Sequence, residues 1–534
     1  MRAPRPAALF IATTMRHAVT ALALAVLAFA LLVTAAPRPH AATASPGEVS
    51  GAEVEAVLPA FESYVEAFMA RAGIPGVAIG IVADDRLLHA RGFGQRQLGG
   101  RAAVDPQTLF QIGSITKSFA AGTEAWLVDR GLLAWDDRVV DLVPGFRMMD
   151  PWVTAEFRVI DLLAQRSGMP PYVLGEMVAL GYDRQAMIDA IRHVAPVSSF
   201  RSTFGYQNVL HLVAEQVVMK AGSAPSWEAF LRERILQPLG MTATSMTAAA
   251  IADAPNHAAG HSRADGAIHP IPFDPDFYNV GAAGNINSNI VDMAQWLRLQ
   301  INRGTVDGRT VIGEAALTHT WLPQVPVVQG GSYASGLVAG SDAAGRVIWH
   351  NGGTSGFASF LGFDPDRKVG IIVLTNLALP GAGDAIGNRF LDAVRGRPAV
   401  DHGALLLQAA AARDAAERDV LQSPPANPRP PLPLTAYAGL YDSPIFGRVA
   451  VDADGPAPLL LTVGPRNTQI ALTHWDGDTF AVHFPDPAAR GMEDPMGFLQ
   501  FEPGVEGGIR GFVLDFDTGA LDGPDRPRFR RRAD

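Results

Sequence analysis

Hydrophobic and polar residues follow two different periods in the first part of the chain. The segment VEAVLPAFESYVEAFMARAG has apolar residues at helical spacing and ends at Gly73, so it predicts a helix that stops there. The next segment, VAIGIVADDRLLHARGFG, holds two strand-like runs around the polar residues 83–86 and predicts a β-hairpin. The chain is therefore expected to lead from a helix directly into a sheet.

A second hairpin is predicted much later, in ASFLGFDPDRKVGIIVLTN, with a turn at residues 364–366 and a buried strand from Val369 to Leu374. Residues 100 to 340 mix helical stretches such as DMAQWLRLQINRG with loops rich in glycine and proline. Strands near both ends, with helices between them, predict an α+β domain whose sheet joins distant parts of the chain.

The end of the chain has a different pattern. Residues 404–421 form an alanine-rich helical stretch, and residues 424–433, PPANPRPPLP, hold six prolines that favour a stiff, extended connector. Short apolar runs separated by glycine, proline, aspartate and asparagine follow, and they predict a small all-β domain that is a barrel or a sandwich. We place the α+β domain at 52–400, a helix and proline-rich linker at 401–433 and the all-β domain at 434–531.

Composition narrows the function classes. The chain has 534 residues, is 48% hydrophobic and carries a formal net charge of −10, so it has enough apolar sequence for a large core. No long basic run precedes the terminal RFRRR, and nucleic-acid binding therefore lacks an electrostatic footprint. The absence of cysteine excludes disulfides, thiolate metal sites and a cysteine-linked lipid anchor.

The N-terminus resembles an export signal. Three arginines precede an apolar run at about residues 18–36, and Ala42-Thr43-Ala44 offers a cleavage site of small residues. We expect a signal peptide over 1–44, starting at Met1 or Met15, and a periplasmic or secreted mature protein. The alternative is an uncleaved anchor, because the run approaches the ~20 residues that span a bilayer, and this segment would then be the contact with the membrane.

The first candidate for chemistry is GSITK, where Ser114 and Lys117 stand three residues apart at the predicted start of a helix. That spacing puts both side chains on one helix face. A serine hydroxyl is a weak nucleophile until a base takes its proton, and a lysine can be that base if burial lowers its pKa. The structural alternative is a helix-capping serine beside a solvated lysine.

Two further segments carry candidate residues. In FRSTFGYQNVLHLVAEQV, Tyr206 and Asn208 lie at the entry to an amphipathic helix, where nearby positive charge would lower the pKa of the phenol and suit it to proton transfer. In VIWHNGGTSGF, His350 lies on a predicted strand, and Gly352 and Gly353 would let a substrate approach the backbone closely. Taken singly, these residues are also compatible with a half-buried core tyrosine, a loop asparagine and a structural histidine.

The order S-x-x-K, Y-x-N and H-x-G resembles the serine β-lactamase and penicillin-binding-protein superfamily, and most closely its class C-like branch of esterases and D-amino-acid peptidases. The resemblance covers roughly residues 52–395, and the region from about 434 to 520 looks like the lipocalin-like domain attached to many such hydrolases. It implies an antiparallel sheet flanked by helices, with an all-helical region, followed by a small β-barrel. It also implies no metal or organic cofactor.

The resemblance further implies a role for each residue. Ser114 would be the acylated nucleophile, Lys117 its partner in proton transfer and Tyr206 a second acid/base group. Asn208 would orient Lys117 and a substrate amide, and His350 would belong to the catalytic set. The backbone N–H groups of Ser114 and Gly353, next to Gly352, would form the oxyanion hole.

Two positions depart from the family pattern. His350 stands where class C β-lactamases carry the lysine of K-T-G, and a histidine with an ordinary pKa near 6.5 is mostly neutral at pH 7, so recognition of a substrate carboxylate should be weaker. Gln165 stands where the family often has a histidine, outside the expected chemistry.

These observations predict an exported serine hydrolase acting on amide or ester bonds of small molecules or short peptides, including peptides with D-residues. The alternatives are a class C-like β-lactamase, a D-alanyl-D-alanine carboxypeptidase, or a slowly acylated protein that binds peptidoglycan fragments. The all-β domain is a candidate surface for homo-oligomer formation. The chain contains no G-x-S-x-G and no H-E-x-x-H, which disfavours an α/β-hydrolase and a zinc hydrolase.

Overall fold

A computed structural model of the chain describes residues 47–264, 266–328, 330–421, 425–453, 458–485, 495–504, 508–515 and 526–532. The predicted signal peptide over 1–44 and positions 422–424 of the predicted linker lie outside these ranges. Within the described ranges, no helix combines the length and the hydropathy needed to cross a membrane.

The strands of the α+β domain are β1 Gly76–Ala83, β2 Arg86–Gly94, β3 Phe110–Gln111, β4 Gly260–Ala264, β5 Ala267–Ile271, β6 Asn287–Ser288, β7 Thr305–Val306, β8 Arg309–Thr310, β9 Val325–Pro326, β10 Ser332–Tyr333, β11 Val338–Asp342, β12 Gly345–Gly353, β13 Ala358–Asp364 and β14 Val369–Thr375. One eight-stranded antiparallel sheet has the order β2-β1-β14-β13-β12-β11-β10-β9. Val77 of β1 lies opposite Thr375 of β14, so the sheet joins the two ends of the domain as predicted. Both predicted hairpins, β1–β2 and β13–β14, are confirmed.

The middle of this sheet is covered on both faces. All residues of β1, β13 and β14 are buried, which explains why their sequences are almost continuously apolar. Along β1, Val77 and Ile79 belong to the core on one face, whereas Ala78 and Val82 belong to the core on the other. Because successive side chains of a strand point to opposite faces, β1 contributes residues to two separate hydrophobic layers.

The helices are α1 Gly51–Ala72, α2 Thr116–Asp129, α3 Val139–Leu142, α4 Pro151–Glu156, α5 Val159–Leu163, α6 Glu176–Ala179, α7 Arg184–Ala190, α8 Val209–Ala221, α9 Trp227–Leu231, α10 Ala248–Ala252, α11 Ile290–Ile301, α12 Glu314–His319, α13 Ala382–Val394 and α14 His402–Leu421. Short 3-10 segments lie at Gly113–Ile115, Ile191–His193, Pro275–Ala283 and Leu434–Ala436, and a π-helical turn at Arg232–Leu236. Helices α1 and α13 cover one sheet face, and α2 and α11 the other. Helices α3 to α10 form the helical region beside α2.

Helix α1 ends where the sequence predicts. Gly73 adopts a left-handed conformation with φ 73°, and its N–H donates to the carbonyl oxygen of Met69. At the other end, the Ser50 side chain accepts from the Glu53 backbone N–H, and the Glu53 carboxylate accepts from the Ser50 N–H at 2.8 Å. Local capping at both ends therefore sets the length of this helix.

The C-terminal strands are β15 Gly439–Ser443, β16 Gly447–Asp452, β17 Leu459–Val463, β18 Thr468–Asp476, β19 Thr479–His483, β20 Gly497–Pro503, β21 Ile509–Asp515 and β22 Arg528–Arg531. They form a closed barrel, because β22 pairs with both β15 and β21. The sequence did not distinguish a barrel from a sandwich, and the pairing of β22 shows that the domain is a barrel. Its Phe529 is buried inside the barrel, while Arg528 and Arg530 are exposed, so a segment that looks only basic in sequence is an amphipathic strand.

One buried acid stands out in α2, two turns after Lys117. The side chain of Glu124 is fully buried, and neither carboxylate oxygen has a hydrogen-bond partner among the described residues. Burial raises the pKa of Glu124 well above its usual value, so the folded protein keeps this carboxyl protonated. Glu124 is therefore a destabilising residue in the core of the domain.

Replacing Glu124 by methionine is expected to raise the free energy of unfolding at pH 7.5 by about 1–3 kcal/mol, the usual cost of an unsatisfied buried polar group. The gain should be smaller at pH 4. Above a pKa of about 4.3 the unfolded state loses its proton while the folded state keeps it, so wild-type stability falls as pH rises through the raised folded pKa. Urea unfolding of wild type, Glu124→Met and the exposed control Glu55→Met at both pH values measures this. An equal Glu124→Met effect at the two pH values would contradict the account.

Candidate active site

The turn between β3 and α2 carries Ser114. A 3-10 turn at Gly113–Ile115 continues directly into α2, which confirms that Ser114 lies at the start of a helix. Gly113 has φ 51°, and a β-carbon there would lie 2.7 Å from the carbonyl oxygen of Gly353. Both the left-handed backbone and the close approach require glycine. The Ser114 side chain remains partly exposed, so a substrate can reach it.

Lys117 is fully buried one turn into the same helix. Its Nζ lies 3.2 Å from Ser114 Oγ, 2.8 Å from Asn208 Oδ1 and 2.8 Å from the carbonyl oxygen of Ala283. Burial lowers the pKa of Lys117 well below its usual value. A neutral amine has two N–H donors and one lone pair, which match two oxygen acceptors and the hydroxyl proton of Ser114. The surroundings of Lys117 therefore suit a base for this serine.

The ring of Tyr206 lies beside the lysine, with its centroid 4.6 Å from Lys117 Nζ. Desolvation raises the pKa of Tyr206 well above its usual value, although its hydrogen bond with Ser114 acts in the opposite direction. The prediction that nearby positive charge lowers this pKa is wrong, because burial of the phenol itself raises it. In the free protein the phenol is a proton donor that faces the serine hydroxyl.

Asn208 directly precedes α8, and its side chain does not cap the helix, which leaves Oδ1 for Lys117. The Gln165 side chain makes two hydrogen bonds with the backbone of Gln207. Its Oε1 accepts from the Gln207 N–H at 2.5 Å, and its Nε2 donates to the Gln207 carbonyl oxygen at 3.0 Å. Gln207 separates Tyr206 from Asn208, so Gln165 fixes the spacing of the two. Sequence reasoning placed Gln165 outside the chemistry and missed this supporting role.

His350 is buried in β12, and both of its ring nitrogens are occupied. Nδ1 lies 2.5 Å from the carbonyl oxygen of Asn351, and Nε2 lies 3.0 Å from the hydroxyl of Tyr333. A carbonyl can only accept, so Nδ1 carries the proton and Nε2 accepts from Tyr333. Burial lowers the pKa of His350 to about 3, and the ring is neutral at physiological pH. The expectation of a mostly neutral histidine is confirmed.

Tyr333 is a residue of this cleft that sequence reasoning missed. It is buried in β10, its ring centroid is 6.3 Å from that of Tyr206, and burial raises the pKa of its hydroxyl above the usual value. It ends a two-residue strand that follows Gly330 and Gly331, with no motif around it. The strand order β12-β11-β10 places Tyr333 two strands away from His350, and its hydroxyl reaches the histidine across β11.

Gly352 and Gly353 at the end of β12 let this strand pack against the 3-10 turn at Gly113–Ile115, which we call the serine turn. A β-carbon on Gly352 would lie 2.1 Å from the carbonyl oxygen of Ile112 and 3.0 Å from the backbone nitrogen of Ser114. The backbone of Gly353 packs on Gly113 next door. The two amides expected to form an oxyanion hole, those of Ser114 and Gly353, thus lie on adjoining backbone segments.

The carbonyl of Ala283 is also held in place. Glu215 in α8 accepts from the Ala282 N–H at 2.5 Å and pairs with Arg184 at 2.9 Å. Burial raises the pKa of Glu215 to about 7, and the Arg184 guanidinium acts against that rise. Glu215 thus fixes the peptide segment that offers Ala283 to Lys117, and sequence reasoning missed it.

The structure brings together every site residue singled out in the sequence: Ser114, Lys117, Tyr206, Asn208, His350, Gly352 and Gly353. Within the described ranges, no three histidine, aspartate or glutamate side chains converge as a metal-ligand set. The arrangement joins a partly exposed nucleophile, a desolvated base, a phenol and two converging backbone segments.

A model of the beta-lactamase family matches residues 61–395. The chain belongs to this family. The matched residues include the serine turn, the Tyr206 loop and β12, which are the three segments that build the cleft. A second model, a domain of unknown function named DUF3471, matches residues 423–523 and covers most of the barrel.

Relatives in this family include a hydrolase and a bacterial protein. The chain is 25% identical over 457 residues to the unguisins hydrolase ungD of Aspergillus violaceofuscus, covering 77% of this chain and 80% of that protein. It is 25% identical over 328 residues to the protein flp of Staphylococcus aureus strain COL, covering 59% of this chain and 62% of that one.

Among solved structures, the chain resembles the octameric penicillin-binding protein homologue from Pyrococcus abyssi. The TM-score is 0.58 at 21% identity, and the match covers 89% of this chain and 100% of that one. At this identity the likeness supports the fold alone.

The reactivity of Ser114 toward a neutral ester is expected to change little between about pH 7 and pH 9. Lys117 must be neutral to accept the serine proton, and burial has already lowered its pKa. A lysine with an ordinary pKa near 10.4 would instead make kcat/KM rise about tenfold per pH unit over this range. Profiles of kcat/KM for p-nitrophenyl acetate, with Ser114→Ala as the blank, measure the difference.

The variant Asn208→Asp provides the comparison for that profile. A carboxylate 2.8 Å from Lys117 Nζ would raise the pKa of the lysine. The variant should therefore lose activity near pH 7 and regain it as pH increases. A wild-type profile that itself rises tenfold per unit to pH 10 would contradict a neutral Lys117.

Proposed function

We propose that this serine hydrolase cleaves amide or ester bonds of small substrates through an acyl-enzyme on Ser114. The observation that carries the proposal is the set of contacts around Lys117. Its Nζ lies within hydrogen-bond distance of Ser114 Oγ, while its other partners are the neutral oxygens of Asn208 and Ala283. A buried amine in such surroundings is a base rather than a cation.

Acylation follows from this geometry. Lys117 Nζ takes the proton of Ser114 Oγ as the oxygen attacks the substrate carbonyl carbon, and the carbonyl oxygen becomes an oxyanion. The N–H groups of Ser114 and Gly353 stabilise that oxyanion. Tyr206 gives its proton to the leaving nitrogen or oxygen when the C–N or C–O bond breaks. The lysine proton then returns to the phenolate, which restores a neutral site.

Deacylation runs through the same groups. A water molecule enters where the leaving group departed, gives a proton to the neutral amine of Lys117 and attacks the acyl carbon. The C–Oγ bond breaks, Ser114 Oγ recovers a proton, and the free acid leaves. Over the two steps the serine proton leaves with the leaving group, water supplies the proton that restores Ser114, and Lys117 and Tyr206 end in the forms in which they began.

The substrate class is proposed from the electrostatics at His350. A buried, neutral histidine whose two nitrogens are bonded to Asn351 and Tyr333 offers no cation to a substrate carboxylate. This favours esters and peptides without a free carboxylate at that position, including peptides with D-residues, over β-lactams and D-alanyl-D-alanine termini. The similarity to an unguisins hydrolase supports hydrolysis rather than storage of a bound ligand.

A single substrate panel tests this function. We expect turnover of p-nitrophenyl esters or of D-amino-acid anilides to exceed turnover of a chromogenic β-lactam. Ser114→Ala should lower kcat by about 10⁴-fold or more, and Tyr206→Phe by about 10²–10⁴-fold. Ser63→Ala, on an exposed face of α1, is the matched control and should behave as wild type.

Activity that survives Ser114→Ala would refute the mechanism. Dominant β-lactam turnover would make the chain a β-lactamase in function as well as in family. A burst of one product equivalent with no further turnover would instead favour the slowly acylated binding protein.

Two further expectations from the sequence are also proposals. We propose export, supported by the charged and apolar N-terminus, and the mass of the mature protein after loss of residues 1–44 tests it. We also propose a homo-oligomer formed through the barrel. The structurally similar penicillin-binding protein homologue from Pyrococcus abyssi is octameric, and light scattering of the purified chain provides the test.

A further inference from the structure

An apolar cavity of about 150 Å³ opens beside Asn208. Its walls come from four parts of the helical region: α6 and the loop before it, α7, the start of α8, and the 3-10 segment Pro275–Ala283. The side chains that define it are Leu174, Val178, Met187, Leu212, Phe277 and Val280. Asn208 supplies the polar end, and its Oδ1 is the atom that holds Lys117 Nζ.

The position of the cavity relates it to one half of the substrate. Its lining includes Asn208 but none of Tyr206, Tyr333 and His350, so the cavity adjoins the site through Asn208. Tyr206 would protonate the leaving group, which therefore departs on the other side. We therefore assign the acyl portion, which stays attached to Ser114, to the Asn208 end of the site, next to the cavity.

We propose that this cavity binds an apolar group on the acyl portion of the substrate, a chain of about four to six carbons or a single aromatic ring. The inference rests on the proposed function and specifies its substrate. A cavity of about 150 Å³ lined by aliphatic and aromatic side chains takes a benzene-sized group. Because the lining contains no charged side chain, a charged group would be desolvated there without a partner.

The test is the chain-length preference of Val178→Phe. Val178 is half-buried in α6 and faces the cavity, so a phenyl ring there would occupy its space. Wild type should hydrolyse p-nitrophenyl hexanoate and phenylacetate with kcat/KM about tenfold or more above the acetate. In Val178→Phe the ratio of hexanoate to acetate should fall at least about tenfold. Val400→Phe, an exposed valine outside the cavity, is the matched control and should keep the wild-type ratio.

The outcomes separate this inference from the function on which it rests. An unchanged hexanoate-to-acetate ratio in Val178→Phe, with turnover still dependent on Ser114, overturns the cavity assignment and leaves the hydrolase intact. Turnover that does not depend on Ser114 overturns the function itself. If Val178→Phe does not fold, Val178→Ala decides: the preferred chain should become longer, and an unchanged optimum counts against the cavity.

A different observation concerns the C-terminal barrel, whose turn between β17 and β18 packs against the α+β domain. The Arg466 guanidinium binds both carboxylate oxygens of Asp276, one of them at 2.5 Å. The aliphatic part of Arg466 lies against Gly181, where a β-carbon would be 2.9 Å from Arg466 Cδ. Gly464 likewise packs on the carbonyl oxygen of Leu180, where a β-carbon would come within 2.6 Å of it.

The same barrel contact holds two walls of the cavity. Leu180 and Gly181 directly follow α6, which carries Val178. Asp276 stands near the start of the segment Pro275–Ala283, which carries Phe277 and Val280 and ends at the carbonyl that binds Lys117. A hydrogen bond from the Tyr182 hydroxyl to the Phe446 carbonyl oxygen, at 2.6 Å, adds a second point of attachment.

We infer that Arg466 is a positioning residue that sets the separation of these two walls, and that the barrel thereby takes part in substrate selection. Asp276 is almost fully buried beneath the guanidinium, so the ion pair is shielded from water on the side of the α+β domain. Charge-assisted bidentate pairs of this kind fix geometry as well as adding attraction.

The experiment compares two arginines of the barrel in the full chain. Arg466→Ala should lower the hexanoate-to-acetate ratio of kcat/KM at least about threefold through a higher KM for hexanoate. Arg448→Ala removes an exposed arginine that pairs within the barrel with Asp442, and it should keep the wild-type ratio. The charge swap Arg466→Asp with Asp276→Arg should restore part of the selectivity.

A wild-type ratio in Arg466→Ala overturns the positioning role. If that variant is unfolded or inactive toward both esters, Arg466→Lys decides, because it keeps the charge and loses the bidentate contact. An intermediate ratio then supports the inference, and a wild-type ratio contradicts it.

Discussion

The chemistry of this protein depends on an amine that is buried without a negative charge beside it. The hydrogen-bond partners of Lys117 Nζ in the described structure are a hydroxyl, an amide oxygen and a peptide carbonyl oxygen. Desolvation therefore acts on its pKa without compensation by a carboxylate. The same desolvation keeps Tyr206 protonated and His350 neutral, so the cleft contains a base, an acid and a neutral ring rather than three charges. Water exclusion around α2 and α8 is thus a condition for catalysis as well as for stability.

Close backbone packing makes that cleft out of distant segments. The serine turn and β12 are separated by more than two hundred residues, yet Gly113 and Gly352 let their backbones come nearly into contact. A side chain at either glycine would separate Ser114 from the Gly353 amide. Central strands that are buried on both faces hold this junction, because β12 is fixed by its pairing with β13 and, through it, by β14 and β1. The rigid sheet is therefore the reference against which the serine turn is placed.

The segment Pro275–Ala283 links three functions over a short length. Its end offers a carbonyl to Lys117, its middle lines the apolar cavity, and its start is bound by Arg466 of the barrel. Glu215 of α8 and Arg184 of α7 hold the same segment. Glu215 accepts from the Ala282 N–H, and Arg184 pairs with Glu215 and donates to the Tyr278 carbonyl oxygen at 3.0 Å. Substrate shape, the basicity of Lys117 and the docking of the barrel therefore depend on one piece of backbone.

The sequence by itself determined the elements whose cause is local. Strand and helix periods predicted both hairpins, Gly73 marked the end of α1, and the spacing of Ser114 and Lys117 placed nucleophile and base on one helix face. The order of the three motifs identified the fold family before any contact was known. Tertiary structure decided what depends on long-range contacts: the closure of the barrel by β22, the pairing of Tyr333 with His350, the support of the Tyr206 loop by Gln165 and the direction of the Tyr206 pKa shift. These features follow from burial and from partners distant in sequence, and no local pattern encodes either.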